Sequence, residues 1–191
     1  YLLGPGVIIT VDGVNLDLTN VDMVFSPCAG IEFHNGATLN ANNSVFRPCD
    51  ENLWWTGFSF FEGSTGTVNS CTFKNANNAL AFNATTNPVT YCNITNNLFL
   101  NCRKGVKILA GTNFLESITN NVFTVDFNNI DYSAPNCSGI ITAPLEYHCI
   151  DVNASDLSSA YISQNQFINN QVGTASKALV SGIYYLGVSG G

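Results

Sequence analysis

A short segment of the chain places both of its tryptophans beside two carboxylates. Asp50 and Glu51 are followed closely by Trp54 and Trp55. A flat indole ring can stack on the face of a pyranose, and a carboxylate accepts hydrogen bonds from sugar hydroxyl groups. The segment therefore predicts a sugar-binding platform. An alternative interpretation is that the two indoles pack against the body of the protein and only cover the loop.

A second group of reactive side chains consists of Glu146, His148 and Asp151. Two carboxyl groups about 5–9 Å apart, with a histidine beside them, could perform general acid–base chemistry on a glycoside. However, Asp151 alternates with Ile150 and Val152, which is also the pattern of an ordinary solvated residue on the outer face of a strand. The three residues are weak catalytic candidates, and no motif indicates a metal site or an organic cofactor.

The composition restricts the class of protein. A chain of 191 residues forms one domain with a core of its own. Charged residues make up 10%, far below the usual share of about 25%, while the 46% of hydrophobic residues argues against disorder. The net charge of −7 and only six Lys and Arg residues, scattered along the chain, disfavour nucleic acid as a partner. No apolar run approaches the roughly 18 residues of a membrane span.

One sequence pattern recurs along most of the chain, and its clearest copy is Ile94-x-x-Asn97-x-Phe99. Each copy alternates apolar and polar residues as a half-buried strand does, and Gly, Asn, Ser and Thr separate the copies as turn residues. A repeat near 24 residues, the step from Phe99 to Phe123, with about three short strands predicts one coil of a parallel β-solenoid. The two inward columns would contain Met23, Phe46, Phe73, Phe99, Phe123 and Phe167, and Leu18, Ala41, Val68, Ile94, Ile118 and Ile162.

A column of asparagines accompanies these apolar columns. Asn97, Asn121 and Asn165 each lie two residues before the Phe of their coil. We expect them to point inward at a turn and to adopt the left-handed conformation of the corner. Because neighbouring strands are about 4.8 Å apart, their amides can then hydrogen-bond from coil to coil. Ser44 and Cys71 occupy the same column and would end this ladder. A second short strand follows the Met or Phe of the pattern, at Gly30–Phe33, Gly57–Phe60, Ala79–Phe82, Gly105–Ile108 and Asn129–Tyr132.

The repeated pattern, with its Gly-[Ile/Val]-x-[Ile/Phe] strand, resembles the right-handed parallel β-helix, or pectin-lyase-like, superfamily over about Leu18–Phe167. The resemblance implies an all-β, right-handed parallel β-helix of about six to seven coils. Pectate lyases, polygalacturonases, phage tailspikes and bacterial adhesins share this fold, so the resemblance indicates no single function. The chain lacks both the acidic calcium cluster of pectate lyases and the closely spaced aspartates of polygalacturonases.

One long step interrupts the repeat between Phe123 and Phe167. Ile150 precedes Ile162 by 12 residues, the same distance by which Val106 precedes Ile118. We therefore expect the register to resume at Ile150. Roughly 20 residues, about 131–149, would then leave the solenoid as a loop.

The chain contains seven cysteines, and their spacing does not match a zinc site, which favours disulfides in an oxidising compartment. An odd number leaves at least one thiol free. The alternative is that buried, reduced cysteines act as small hydrophobic side chains. The pairs that their positions suggest are Cys137 with Cys149, Cys28 with Cys49, and Cys92 with Cys102.

Three functional classes remain open. The first is a secreted or cell-surface structural and adhesive module that binds glycans or another surface protein. The second is a polysaccharide lyase or glycoside hydrolase of the pectinase or tailspike type. The third is a virion or filament subunit. Because both ends show strand patterns without a capping element, we expect a segment of a longer protein or a subunit that associates end to end.

Overall fold

The computed structural model describes residues 1–51, 53–83, 89–109, 113–126, 146–153, 160–170 and 179–186. Every regular element in these ranges is a β-strand, numbered β1 to β20 in chain order. Sheet A contains β1 (Leu2–Leu3), β4 (Asp22–Phe25), β7 (Val45–Pro48), β10 (Thr72–Lys74), β13 (Leu98–Leu100), β16 (Val122–Val125) and β19 (Gln166–Asn169). Sheet B contains β2 (Ile8–Asp12), β5 (Gly30–His34), β8 (Trp55–Phe60), β11 (Ala76–Phe82), β14 (Lys104–Ile108), β17 (Glu146–Asn153) and β20 (Leu179–Leu186). Sheet C contains β3 (Asn15–Thr19), β6 (Thr38–Asn42), β9 (Thr65–Asn69), β12 (Val89–Thr95), β15 (Asn113–Thr119) and β18 (Ala160–Ser163).

The three sheets are parallel and run along the whole described structure. Each strand pairs with the strand that lies three positions further along the chain, so every full coil contributes one strand to each sheet. This is a parallel β-helix, as predicted, and it is consistent with the pectin-lyase-like superfamily. Among the residues described, no helix is long and apolar enough to cross a membrane.

The predicted inward columns are confirmed by the strand register. Phe73 aligns with Phe99, and Phe99 with Phe123, in sheet A, while Val68, Ile94 and Ile118 align in sheet C. The rings of Phe73 and Phe99 stack with centroids 5.2 Å apart, and those of Phe99 and Phe123 with centroids 4.7 Å apart. Each such pair contributes about 0.5–1.5 kcal/mol beyond the burial of its area. The fold is therefore held by continuous apolar rows that no single coil could bury alone.

The asparagine ladder is confirmed in detail. Asn121 Oδ1 accepts hydrogen bonds from Asn97 N at 2.9 Å and Asn97 Nδ2 at 3.0 Å, and Asn165 Oδ1 accepts the equivalent pair from Asn121. Asn121 Nδ2 also donates to Ile94 O at 2.9 Å. At the far end of the column, Ser44 Oγ accepts from Val21 N and donates to Leu18 O. Polar groups at this buried corner are thus bonded from coil to coil.

The conformation predicted for the ladder residues is wrong by one position. The left-handed residues are those immediately before the ladder: Asn20, Asn43, Ser70, Asn96, Asn120 and Gln164, with φ between 48° and 58°. The residue with the exposed side chain makes the corner, and the next residue returns to the β region and points inward. Asn is common at both positions because it tolerates positive φ and because its amide both donates and accepts.

The register resumes at Ile150, which aligns with Val106 as predicted. The proposed loop is too long at its C-terminal end, because β17 begins at Glu146 and therefore includes residues 146–149. Strand β14 pairs directly with β17, so sheet B continues there. Asn129–Tyr132 and the rest of 127–145 lie outside the described residues.

The predicted disulfides are not formed. Cys28, Cys49, Cys102 and Cys149 are free thiols, and Cys137 lies outside the described residues. Cys102 and Cys149 belong to the hydrophobic core. Burial raises the pKa of each of these two thiols to about 12, so both stay protonated and unreactive. The alternative interpretation, cysteine as a small hydrophobic side chain, describes both of them, and the cysteines give no support to an oxidising compartment.

Candidate functional site

A cluster of polar side chains lies on the outer face of sheet B, where β14, β17 and β20 are neighbours. We call it the sheet B cluster, and it consists of Lys104, Lys107, His148, Asp151 and Tyr184. The strand register aligns Lys104 with His148, Lys107 with Asp151, and Asp151 with Tyr184. Arg103 immediately precedes β14 and lies at the edge of the cluster.

The residues reach one face because sheet B contains a β-bulge. Asn78 aligns with Gly57 while Leu80 aligns with Phe58, so Ala79 is an extra residue in β11. Gly105 in β14 and Cys149 in β17 occupy the position that corresponds to Ala79. On a regular strand, residues three apart face opposite sides, but the bulge lets Lys104 and Lys107 both lie on the outer face.

Gly105 shows why the bulge position must be small. A Cβ atom built there would lie 2.5 Å from Phe123 Cε1 and 2.6 Å from the carbonyl oxygen of Cys149. The bulge therefore faces the stacked Phe column, and a glycine allows β14 to pass close to it. The sequence shows a small residue, Gly105, just before the apolar residues of β14. That this residue is the extra residue of a bulge becomes clear only from the strand register.

Asp151 forms the buried floor of the cluster. It faces outward, as its alternation with Ile150 and Val152 predicted, yet only 5% of its surface is exposed. Its carboxylate forms an ion pair with Lys104 Nζ, whose side chain is 23% exposed. A buried carboxylate requires such a partner, since an uncompensated charge in this environment is costly. The expectation of an ordinary solvated aspartate is therefore wrong.

Lys107 is half-buried and has an unusual electrostatic environment. Its pKa is lowered from the ordinary value of 10.5, first because burial disfavours the ammonium form and then because Lys104 and Arg103 are also positive. Asp151 opposes this effect in part. The amine of Lys107 consequently loses its proton more readily than an exposed lysine does.

His148 and Tyr184 complete the cluster on the side of β20. The side chain of His148 is buried, and its ring lies 4.3 Å from that of Tyr184 at an interplanar angle of 31°. The backbone N–H of His148 donates to Arg103 O at 2.9 Å, which ties β17 to the start of β14. Tyr184 is half-buried, so part of its ring is accessible.

The structure brings together two of the three catalytic candidates. His148 and Asp151 share the outer face of β17, whereas the side chain of Glu146 lies outside the described part of the structure. Lys104, Lys107, Arg103 and Tyr184 were not recognised from the sequence, and the expectation that the basic residues are scattered is wrong for three of the six. The three basic residues are close together in the sequence, and the pairing of β14 with β17 and of β17 with β20 brings His148, Asp151 and Tyr184 beside them.

The tryptophan platform is not formed. Trp55 is fully buried, stacks on Phe25 with ring centroids 4.1 Å apart, and donates from Nε1 to Lys74 O at 2.7 Å. Trp54 is 7% exposed and packs edge-on against Tyr147 at 5.8 Å. Neither indole can stack on a sugar, so the alternative interpretation, packing against the coil, is correct. Asp50 and Glu51 are exposed, and their role as glycan ligands stays a prediction.

The cluster combines Lys104, Lys107 and the adjacent Arg103 with one internal carboxylate, that of Asp151. Among the described residues, no three His, Cys, Asp or Glu side chains gather as a metal site would require. No protein-family model, no curated protein and no solved structure matches the chain, so its function is inferred from the fold and this cluster alone.

Proposed function

We propose that the protein is a secreted or cell-surface structural module that uses its rigid β-helix to present the sheet B cluster to an acidic glycan. The surface location is supported by the low charge content and by the Asn-rich coil corners, which suit a long rigid scaffold. The glycan is supported by the cluster itself. A carboxylate or sulfate group of the sugar would contact the two lysines, and a sugar face would lie on Tyr184.

The observation that carries this proposal is a local reversal of charge. The chain has a net charge of −7, yet Lys104 and Lys107 lie on one outer face of sheet B, and Arg103 lies close enough to lower the pKa of Lys107. Among Arg103 and the described side chains of β14, β17 and β20, Arg103, Lys104 and Lys107 are positive and Asp151 is the only carboxylate, which gives a formal local excess of 3 − 1 = 2 positive charges when histidine is not counted. An acidic ligand would relieve this excess.

Calorimetric titration with oligogalacturonate tests the proposal, with a neutral malto-oligosaccharide of equal length as the comparison ligand. We expect the wild type to bind the acidic ligand more tightly than the neutral one. The double variant Lys104→Ala, Lys107→Ala should lose at least about tenfold in affinity, since two charge-assisted contacts are removed.

The matched control is Lys74→Ala, which removes a half-buried lysine from the outer face of sheet A. It should leave the affinity for oligogalacturonate unchanged. If Lys74→Ala weakens binding as much as the double variant does, the attraction between the protein and the acidic ligand is non-specific. If acidic and neutral ligands bind equally, the proposal is incorrect.

The lowered pKa of Lys107 favours a second candidate, a polysaccharide lyase acting on uronate sugars. In this reaction the deprotonated form of the Lys107 amine would take the proton from the carbon beside the uronate carboxylate, a carbon–carbon double bond would form, the glycosidic C–O bond would break, and the leaving oxygen would receive a proton from water. Lys104 would neutralise the carboxylate. A glycoside hydrolase is less well supported, because it needs two carboxyl groups and the described cluster contains one.

The appearance of ultraviolet-absorbing unsaturated products from polygalacturonate would demonstrate the lyase. Lys107→Ala should abolish that signal, and Lys74→Ala should not. Reducing ends without unsaturated products would indicate hydrolysis instead. Binding without turnover would leave the structural module as the function.

A further inference from the structure

A second surface feature lies on the outer face of sheet C, away from the sheet B cluster. It is a concavity with a volume of about 100 Å³ across β6, β9 and β12. The backbone of Gly66 and Cys92 forms its floor, and its walls are the side chains of Thr38, Thr65, Thr67, Tyr91 and Asn93. Every one of these lining side chains is uncharged.

The floor is open because Gly66 faces the interior. A Cβ atom at Gly66 would point inward and lie 3.1 Å from Phe60 Cε1, because the Phe60 ring fills the space there. Only the backbone of Gly66 therefore faces outward. Thr65 and Thr67 flank this backbone on the outer face. The regular alternation of the strand thus creates a shallow trough between two hydroxyl-bearing side chains.

The trough interrupts a chain of outer hydrogen bonds. Along one outer row, Asn40 Nδ2 donates to Asp17 Oδ1 at 2.9 Å, and Ser117 Oγ donates to Asn93 Oδ1 at 2.8 Å. Thr67 lies between Asn40 and Asn93 in the register. Its side chain is exposed and makes no hydrogen bond to another described residue. Its hydroxyl is therefore available to a ligand.

An exposed aromatic ring borders the trough. Tyr91 is 51% exposed, so its ring is accessible to a ligand. An accessible ring beside hydroxyl and amide groups is the combination that recognises an uncharged sugar: the ring contacts the apolar sugar face, and the polar groups bond its hydroxyls.

We propose that this concavity is a binding site for a neutral saccharide, with the sugar ring on Tyr91 and one exocyclic arm between Thr65 and Thr67. The volume of 100 Å³ offers room for about three water molecules, enough for a hydroxymethyl or acetamido arm but not for a whole pyranose. The absence of charge from the lining separates this ligand class from the acidic ligand of the sheet B cluster. The site does not depend on the proposed function.

Ligand-observed saturation-transfer NMR and calorimetry on the whole chain test the proposal, with cellobiose and N,N′-diacetylchitobiose as probes. We expect the wild type to bind at least one of them, and the preferred probe identifies the arm. Tyr91→Ala should lower that affinity about tenfold and Thr67→Val roughly threefold, because the first removes the stacking surface and the second a single hydroxyl.

Tyr161→Ala is the matched control, since Tyr161 is 64% exposed on the same sheet and lies outside the concavity. It should bind the neutral probes as tightly as the wild type does. The double variant Lys104→Ala, Lys107→Ala should also bind them like the wild type, even where it loses affinity for acidic ligands. If wild type binds neither probe, or if Tyr91→Ala and Tyr161→Ala weaken binding equally, the proposal is overturned. Because Tyr91 and Thr67 are surface residues, an unchanged unfolding curve for both variants would show that lost binding does not reflect lost folding.

Discussion

The asparagine ladder and the sheet B cluster are both stacks of polar side chains that cross from coil to coil. In the ladder, Asn97, Asn121 and Asn165 repeat one geometry, and the oxygens of Asn121 and Asn165 each accept two hydrogen bonds. In the sheet B cluster, Lys104 and Asp151 pair once, and further positive groups lie beside them without a second described carboxylate on those strands.

The difference shows how to separate structural from functional polar groups in a repeat protein. A polar residue that recurs at each coil satisfies the backbone at a corner that every coil must make. A polar group that occurs once, with an excess of charge, contributes nothing that the other coils need. The single occurrence, rather than burial or polarity, is what marks the sheet B cluster as the candidate site.

The largest expected effect is on the ladder. In Asn121→Ala, the N–H and amide groups of Asn97 and the carbonyl of Ile94 lose their buried partner. We expect the free energy of unfolding to fall by about 3 kcal/mol, measured by urea denaturation.

The exposed Asn42, which accepts one hydrogen bond from Asn69 at 3.2 Å, provides the control. Asn42→Ala should cost less than about 0.5 kcal/mol. Equal losses for the two variants would remove the distinction between the ladder and the surface.

The next effect is on the ion pair of the sheet B cluster. Asp151→Asn keeps the shape of the side chain but leaves Lys104 and Lys107 without their negative partner. We expect a loss of about 1–2 kcal/mol, less than for a fully buried pair because Lys104 is partly exposed.

Asp17→Asn is the control for Asp151→Asn, because Asp17 is exposed and accepts a hydrogen bond from Asn40 on sheet C. It should change stability by less than about 0.5 kcal/mol. A larger loss for Asp17→Asn than for Asp151→Asn would mean that the sheet B cluster is not energetically special.

A smaller effect concerns the pH dependence contributed by Lys107. Its pKa in the folded protein lies below the ordinary 10.5, so the folded state releases this proton before the unfolded state does. In the pH range just below 10.5 the unfolded chain therefore binds more protons, and stability gains with rising pH. Relative to Lys107→Met, the wild type should become more stable as pH rises towards 10.5, in urea midpoints recorded from pH 7 upward. If the urea midpoints of the wild type and Lys107→Met changed with pH in parallel, the result would contradict a lowered pKa for Lys107.

The smallest effect is expected for an ion pair on the outside of sheet A. Arg47 binds Asp22 through two hydrogen bonds of 3.0 and 2.9 Å, and the hydrogen bond to Arg47 is the main reason that the pKa of Asp22 is lowered from 3.8. Arg47→Ala should cost about 0.5 kcal/mol at neutral pH, because the pair is exposed.

This stabilisation is present above pH 3.8 and is lost as the pH falls through the lowered pKa of Asp22. Unfolding midpoints of wild type and Arg47→Ala should therefore converge in acid. A difference that persists in acid would assign the effect of Arg47 to packing of its side chain.

Much of the fold was predictable because it repeats. The Phe73, Phe99 and Phe123 column follows from spacing alone, and so does the return of the register at Ile150. The errors arose where one residue decides the geometry. Asn96, rather than Asn97, makes the corner, and the bulge at Ala79 and Gly105 shifts which side chains face outward.

The candidate site was only partly predictable for the same reason. His148 and Asp151 were recognised by residue type, but the importance of Lys104 and Lys107 depends on the pairing of β14 with β17 across the long step in the repeat. The tryptophans were interpreted as a surface platform because two carboxylates lie beside them in the sequence, whereas their burial against Phe25 and Tyr147 is a property of packing.

The amino-acid sequence by itself determined the coil, its apolar columns and its asparagine ladder. These follow from local alternation and from a period that every coil repeats, so each copy confirms the others. Only the tertiary structure decided which charged groups meet, which cysteines are buried and which aromatic rings reach solvent. Those properties depend on contacts between residues far apart in the chain, and no local pattern records them.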